Sequence, residues 1–351
     1  YQNLQFTKVS SNEIKVFNEN FFKTTEGVSL EYSLMENGVE VVSKTTENLE
    51  IPAQQSENIS LDFEYSRDAS KEYYVNLKAI LGQEKGLLEK GHVVANDQFK
   101  LQDAAVNKVL STTKRLTVDF DKKSKKYTLS GTDFSYVFDT EDFGFASLKM
   151  NGEEILKERL ALNFWRAPID NDYGAFKPSK QKKHAAYFAW REAAKNTTIL
   201  SRDFERLDAT GVQLTYLFDL PNLEAQNTIV YTVYGDGRLK VKSVFHPKKG
   251  RKYAYMPRYG LSLALSNKYD TTTYYGRGPF ENYSDRNRAA NVGLYTSKVA
   301  DFQFDYIRPQ ENGYRTDVRH ASFVSGLGTG ILIQGKSPFS FSALHNPISD
   351  F

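Results

Sequence analysis

The sequence predicts an all-β protein built from antiparallel β-sandwiches, and three observations lead to that prediction. Phe, Tyr and Trp make up 14% of the 351 residues, and aromatic side chains suit the half-buried, pleated surface of a strand. Apolar and polar residues alternate through 28–34, the pattern of a strand with one buried face. Turn signals such as Asn37-Gly38 then separate alternating segments at short intervals, which is typical of a sandwich.

The first hundred residues predict a small sandwich. The strand at 28–34 is followed by a return strand from Val39, and the alternation recurs at 59–65 and 73–79. Beyond residue 101 the periodicity weakens, so we place a domain boundary near residue 110 and predict domains 1–110 and 111–351.

The second domain reads as one large antiparallel sandwich. Alternation continues through 116–120 and 134–138, and the glycines of 235–237 predict a hairpin. The apolar run that follows Gly330 predicts an inner strand. Helix is scarce, and the best candidate spans 181–194.

Composition excludes several classes of protein. The formal net charge is +3, too small a bias for a nucleic-acid binder or a polybasic membrane binder. No apolar run approaches the 18 or so residues of a transmembrane helix. Cysteine is absent, which excludes thiolate nucleophiles and Cys-ligated metals. The chain starts without Met and reads as part of a longer protein, and its compartment, cytoplasm or periplasm, stays open.

The usual motifs of catalysis are missing from the sequence. There is no Gly-x-Ser-x-Gly elbow, and the five histidines do not stand at zinc-ligand spacing. Gly276-Arg277-Gly278 does not complete a dinucleotide fingerprint. We therefore predict no catalytic residue, no metal site and no cofactor in this chain.

Three dense segments, 165–174, 275–286 and 306–317, each combine Arg, a carboxylate, Asn, Gly and an aromatic residue. They allow two interpretations: loops that face a sugar, or Arg–carboxylate and Asn networks that fix the shape of long loops. Residue types alone favour the networks, clustered at one end of the large sandwich. The candidate substrate-proximal or loop-network residues are Arg166, Asp170, Asn171, Asp172, Tyr173, Gly174, Glu281, Asn282, Asp285, Arg286, Arg308, Glu311, Asn312 and Arg315.

Within these segments the runs 166–174, 275–286 and 308–316 resemble the C-terminal region of β-galactosidases of glycoside hydrolase family 2, and the small chain of two-subunit β-galactosidases. The resemblance implies an immunoglobulin-like sandwich followed by a terminal β-supersandwich of the galactose mutarotase type. It also implies that the two catalytic glutamates belong to a (β/α)8 barrel outside this chain.

The resemblance implies a function as well. The chain would be the non-catalytic C-terminal portion of a retaining β-galactosidase that hydrolyses terminal β-D-galactosyl residues, and it would border the barrel's active site. Gly174 would be the hinge of a loop running to Lys180. Its partners would be a galactoside bound through the parent enzyme, the other domains of the same polypeptide and further copies in a homo-oligomer. Mg²⁺ and a monovalent cation would belong to the parent.

Three alternatives stay open. A carbohydrate-binding module would need exposed aromatic rings, although Trp165 and Trp190 read as core or interface residues. A mutarotase-like enzyme would need an acid and a base, and the sequence offers for them only His246, His320 or His345 with Glu281 or Glu311. A scaffold or subunit interface is compatible with the β-galactosidase interpretation.

Overall fold

The computed structural model describes residues 2–105, 111–142 and 144–351. All strand pairs in this part of the chain are antiparallel, and the strands form six sheets. The same residues contain two α-helices, neither of which has the length and apolar composition to cross a bilayer. The all-β prediction is therefore confirmed.

The strands and helices follow one another in a fixed chain order. In that order they are β1 (Leu4–Lys8), β2 (Glu13–Asn18), β3 (Val28–Glu36), β4 (Val39–Leu49), β5 (Ser56–Ser60), β6 (Tyr73–Leu81), β7 (Val93–Gln102), β8 (Thr117–Asp121), β9 (Lys126–Ser130), β10 (Phe134–Asp139), β11 (Gly144–Met150), β12 (Glu153–Glu154), β13 (Leu156–Asn163), α1 (Asp170–Ala175), α2 (Gln181–Ala193), β14 (Thr198–Arg206), β15 (Gly211–Leu220), β16 (Ala225–Tyr234), β17 (Leu239–His246), β18 (Gly260–Leu265), β19 (Thr271–Gly278), β20 (Asn291–Lys298), β21 (Arg315–Val324) and β22 (Gly330–Phe341).

The chain folds into two compact units. The first comprises Tyr1–Lys108, Asp270–Phe304 and Asn312–His345, and the second comprises Val109–Tyr269, Asp305–Glu311 and Asn346–Phe351. The strands β19 to β22 therefore group with the amino-terminal strands, which the sequence did not predict. The predicted boundary near residue 110 lies outside the described residues, so the division into 1–110 and 111–351 stays a prediction.

The first unit holds three sheets, with strand orders β1-β2-β5, β4-β3-β6-β7 and β20-β19-β21-β22. The alternating apolar residues of β3 and β6, among them Leu30 and Leu77, are fully buried and join those of β1 and β2 in one core. A smaller cluster joins Met35 and Tyr74 to Tyr275 and Val292. Strands distant in sequence therefore share a core in this unit.

The second unit holds sheets with strand orders β12-β11-β10-β9-β8, β14-β15-β16-β17 and β13-β18. Its core is aromatic: the ring of Tyr231 lies 5.2 Å from that of Phe138 and 6.0 Å from that of Tyr216. Helix α2 buries Trp190, whose ring lies 5.7 Å from that of Phe245. Both tryptophans of the chain are buried, as their interpretation as core residues expected.

Several local predictions are confirmed. The 28–34 alternation lies in β3, and the turn that follows has positive φ at both Asn37 (47°) and Gly38 (83°), as a type I′ turn requires. The glycines of 235–237 connect β16 to β17, and the predicted helix is α2.

Two local predictions are wrong. The strand predicted over 59–65 ends at Ser60, although Leu61 is buried, because an apolar side chain can fill a core from a loop. The strand predicted to be inner is β22, an edge strand with one partner, and its Leu332 is 63% exposed. A short apolar run cannot by itself distinguish an inner strand from an edge strand.

Candidate functional site: arginine–carboxylate clusters in each unit

The first dense segment folds around the Arg166–Asp172 ion pair in the second unit. The segment leaves β13, and the Asp172 carboxylate receives two guanidinium contacts from Arg166, at 2.8 and 3.2 Å. The same carboxylate accepts the backbone N–H of Ile169 at 2.9 Å, at the start of α1. Asp172 is buried, so its charge is balanced by a bidentate arginine and satisfied by a backbone donor.

Glu311 extends this group within the same unit. Its carboxylate accepts the backbone N–H of Ala167 at 3.2 Å and pairs with the Arg258 guanidinium. Burial alone would lower the pKa of Arg166, but the nearby Asp172 carboxylate outweighs it and the pKa is raised. We call Arg166, Asp172, Arg258 and Glu311 the Arg166 cluster; each of its two buried carboxylates is paired with an arginine.

The end of the first segment, apart from Asp172, lies at the surface. Asp170 pairs with Arg308 at 3.1 Å, and the Arg308 guanidinium lies 4.1 Å from the centre of the Tyr173 ring. Asn171 and Gly174 are exposed. Gly174 has no positive φ, and a Cβ added there would meet nothing within 4 Å, so its predicted role as a hinge stays a prediction.

The second dense segment folds around Asn282 in the first unit. The Asn282 side chain accepts the backbone N–H and the hydroxyl of Thr316, at 3.1 and 2.6 Å. It donates to the backbone carbonyls of Arg277 and Phe280, at 3.1 and 3.0 Å. Asn282 is fully buried, and it ties this segment to the start of β21.

Glu281 makes a parallel connection between the same two stretches of chain. Its carboxylate accepts the backbone N–H of Gly313 at 2.8 Å and pairs with Arg286 at 2.7 Å. Beside it, the rings of Tyr283 and Tyr314 stack 5.1 Å apart. Carboxylate, amide and ring contacts together fix the shape of these loops.

Two candidates do not make the expected ion pairs. Asp285 is exposed, and among the described residues it has no ion pair or side-chain hydrogen bond; the nearby Arg286 pairs with Glu281 instead. Arg315 is buried, but no carboxylate within the described ranges pairs with it. Its guanidinium instead donates to the Tyr274 hydroxyl at 3.1 Å and lies 4.4 Å from the centre of the Phe302 ring.

The third segment is divided between the units. Arg308 and Glu311 belong to the second unit, whereas Asn312 and Arg315 belong to the first, where the buried Asn312 side chain faces the backbone N–H of Phe304 at 3.5 Å. The contacts of the dense segments therefore form the Arg166 cluster in the second unit and a separate group around Glu281 and Asn282 in the first. The predicted clustering of the network candidates at one end of the large sandwich stays a prediction.

Sequence reasoning missed Glu72, a buried carboxylate in the first unit with five donor contacts. Its two oxygens receive the Arg319 guanidinium at 2.6 and 2.9 Å and the Tyr275 hydroxyl at 2.6 Å. Tyr74 donates at 3.1 Å, and Lys100 lies at 3.0 Å. We call these five residues the Glu72 network. Its members are up to 247 residues apart, so no local motif could reveal it.

The electrostatics of Glu72 follow from these donors. Burial would raise the pKa of its carboxyl group, but the hydrogen bonds from Arg319 and Tyr275 outweigh burial and lower the pKa from 4.5 to about 2. Burial and the adjacent Glu72 charge raise the pKa of the Tyr275 hydroxyl. Glu72 is therefore a permanently ionised acceptor near neutral pH, the opposite of a proton donor.

The clusters thus bring carboxylates to arginines rather than to one another. Within the described ranges, no three Asp, Glu or His side chains stand together in a way that could hold a metal ion. The Arg166 cluster can therefore order a loop, and the Glu72 network can hold strands together.

Comparison with known proteins agrees with the resemblance of the dense segments. Residues 130–351 match the family model for the beta galactosidase small chain, and residues 14–102 match that for beta-galactosidase domain 4.

Curated relatives agree as well. A beta-galactosidase from Priestia megaterium is 30% identical over all of this chain and 33% of the relative. A beta-galactosidase from Halalkalibacterium halodurans is 30% identical over 94% of this chain and 32% of the relative. One from Pseudoalteromonas haloplanktis is 26% identical over 98% of this chain and 34% of the relative. The chain spans about a third of the length of the curated relatives it matches. With the family model covering 222 residues, 130–351, the chain belongs to the beta-galactosidase small-chain family.

Proposed function

We propose that this chain is the non-catalytic C-terminal portion of a retaining β-galactosidase that hydrolyses terminal β-D-galactosyl residues. It would support and border an active site whose reactive carboxyl groups lie elsewhere in the parent polypeptide. The relatives are named beta-galactosidase, and the chain spans only about a third of them. Both facts suit a supporting portion of such an enzyme.

The observation that carries the proposal is the engagement of the buried carboxylates. A retaining glycosidase needs two carboxyl groups about 5 Å apart on either side of the scissile bond, one of them able to donate a proton. Asp172 and Glu311 instead bind arginines and backbone amides. These contacts commit both carboxyl groups to arginine and main-chain donors.

The pairs that are close in sequence are also unsuited to that chemistry. Asp172 is buried against Arg166, whereas Asp170 is exposed and pairs with Arg308. The two carboxylates therefore face different surroundings. Glu281 and Asp285 differ in the same way, since only Glu281 bonds the backbone of another segment.

The alternatives receive less support. A carbohydrate-binding module would present Tyr or Trp on an open face. Trp165 and Trp190 are 8% and 1% exposed, which leaves tyrosines such as Tyr255, 69% exposed, to serve that role. A mutarotase-like acid–base pair would place a histidine beside a glutamate. In the part of the chain that the structure describes, His246 bonds Thr228, and Glu311 bonds Arg258 and Ala167.

We further propose that the parent enzyme binds the galactoside, holds Mg²⁺ and a monovalent cation outside this chain and assembles as a homo-oligomer. The remaining domains of the same polypeptide would be this chain's immediate partners.

The test is reconstitution. The 351-residue chain and the remaining two-thirds of its parent are purified separately and assayed with a chromogenic β-galactoside, alone and mixed. We expect turnover only from the mixture, and none above a buffer blank from this chain. Turnover by this chain alone that survives repurification would overturn the proposal. Saturable galactose binding without any activity of the mixture would favour a binding module instead.

A further inference from the structure

The sheet of β14 to β17 has one face in the core and one face turned away from it, exposed at its edge strands but buried at the central Thr232. Leu214, Tyr216 and Tyr231 are buried on the core side. Since successive residues of a strand point to opposite faces, their neighbours Gln213, Thr215, Val230 and Thr232 lie on the other side, which we call the outer face.

Two rows of directly paired residues cross the outer face. In the strand order β14 to β17, the first row is Glu205, Gln213, Thr232 and Lys240, and the second row is Asp203, Thr215, Val230 and Lys242. Paired residues of antiparallel strands share a face. One edge strand therefore carries two acids, the opposite edge strand carries two lysines, and the centre is neutral.

These four charges are not balanced within the described residues. All four side chains are exposed. In the described ranges, Lys240 and Lys242 make no ion pair or hydrogen bond, and Glu205 only accepts the Gln213 amide at 3.4 Å. The nearby cations Lys248 and Arg251, in contrast, both pair with Glu224. A depression of about 360 Å³, lined by Gln213, Val230, Thr232, Lys240 and Lys242, lies at the lysine side of the outer face.

Protection of the sheet edges does not explain this arrangement. Charged side chains on edge strands commonly prevent pairing with another sheet. Charges of one sign on both edges would serve that purpose and would also repel a second copy. Acids on β14 with lysines on β17 make the outer face complementary to itself.

We propose that the outer face docks against the same face of a second copy of this chain, related by a two-fold axis parallel to the strands. A half-turn about an axis between β15 and β16 reverses the order of the strands across the face but keeps positions along them. Glu205 then faces Lys240 of the second copy, and Asp203 faces Lys242. In return, Glu205 and Asp203 of the second copy face Lys240 and Lys242 of the first. The total is four ion pairs around Val230 and Thr232. Self-complementarity of this kind is what a two-fold interface requires.

The size of the face sets the strength of the contact. Four strands about 4.8 Å apart are roughly 14 Å wide, so the face is smaller than the roughly 800 Å² per partner of a standard interface. Exposed ion pairs are individually weak and are screened by salt. The isolated chain therefore associates weakly at low ionic strength and dissociates at high salt. The proposal rests on the homo-oligomer of the proposed function and names one of its contact faces. Because these charges take no part in hydrolysis, loss of self-association and loss of reconstituted turnover are separate outcomes.

The test is sedimentation velocity of the chain over a range of concentrations, at low and at high NaCl. One variant, K240E/K242E, makes both edges acidic, and another, D203K/E205K, makes both edges basic. We expect each variant alone to lose at least about tenfold in association constant. Their equimolar mixture should associate at least as well as the wild type, because all edge contacts between the two variants are then attractive. The matched control K249E/K252E reverses two lysines of the nearby 247–252 loop and should leave association unchanged.

Other outcomes overturn the proposal. A wild-type chain that stays monomeric at high concentration and low salt would do so, as would two variants that fail to associate when mixed although circular dichroism shows both folded. Association lost in K240E/K242E but unchanged in D203K/E205K would also overturn it, since the lysines would then serve an anionic partner.

Discussion

Two buried carboxylates, Glu72 in the first unit and Asp172 in the second, are held by arginine in different ways. Asp172 meets Arg166, six residues earlier in the chain, and also accepts the backbone N–H of Ile169. Glu72 meets Arg319, 247 residues later, and also receives donors from Tyr74, Tyr275 and Lys100. The Asp172 pair orders one loop, whereas the Glu72 network joins residues of β6, β7, β19 and β21 or their flanks.

The difference shows that a high density of charged residues in sequence does not locate the most critical charge. The dense segments contain local ion pairs such as Arg166–Asp172, and the Asp170–Arg308 pair between two segments is exposed. Glu72 stands in no motif and has five donor contacts. The loss of unfolding free energy on breaking a charged pair rises with the burial of the charge that is left behind. The variants below test this relation in the two units.

The largest effect is expected for Glu72→Ala. The substitution leaves the partly buried Arg319 guanidinium and the buried Tyr275 hydroxyl without the Glu72 carboxylate, which should cost about 3–5 kcal/mol of unfolding free energy. Urea denaturation measures it. Asp285→Ala, which removes an exposed carboxylate, is the control and should stay within about 0.5 kcal/mol of the wild type. Similar values for the two variants would remove the distinction between buried and exposed acids.

Arg166→Ala should rank next, at about 2–4 kcal/mol, because Asp172 stays buried with one backbone donor. Chemical denaturation followed by Trp fluorescence suits this variant, since Trp165 is adjacent. Arg166→Lys should recover only part of the loss, because lysine cannot replace the bidentate contact. Full recovery with lysine would show that charge alone, without the fork geometry, holds the loop.

Arg315→Ala should cost less, about 1–3 kcal/mol. Its removal forfeits the hydrogen bonds to the Tyr274 hydroxyl and the Tyr314 carbonyl and the contact with the Phe302 ring, but among the described residues it leaves no carboxylate unpaired. Arg315→Met keeps the aliphatic stem and should lose less stability than the alanine variant. A loss from Arg315→Ala as large as that of Glu72→Ala would contradict the absence of a buried carboxylate partner.

Arg308→Ala should have the smallest effect, about 0–1 kcal/mol, because its pair with Asp170 is exposed. The thermal midpoint at low and high salt is the appropriate measurement, since salt should abolish even this contribution. A salt-independent loss above about 2 kcal/mol would place Arg308 among the structural arginines.

These rankings bear on how far the sequence could predict the structure. Local alternation and turn residues predict elements such as β3, the Asn37-Gly38 turn and the β16–β17 hairpin, because their cause lies within a few residues. Partners such as Arg166 and Asp172 fall inside one dense segment for the same reason.

What the sequence could not predict depends on contacts between distant segments. The grouping of β19 to β22 with the amino-terminal strands, and the convergence of Glu72 with Arg319, are set by tertiary packing. The edge position of β22 depends on which strand pairs beside it. None of these three features depends on local periodicity, so they cannot be predicted from the sequence pattern.

The most direct test of the claim that this chain's buried carboxylates are structural is an NMR pH titration of the Glu72 carboxyl group, assigned with Glu72→Gln. The pKa should be about 2, below its usual 4.5. The ionised group should therefore stabilise the fold above pH 4.5, and up to about 3 kcal/mol should be lost as pH falls from 4.5 through 2. A pKa near 6, the value suited to a proton-donating acid, would contradict the account.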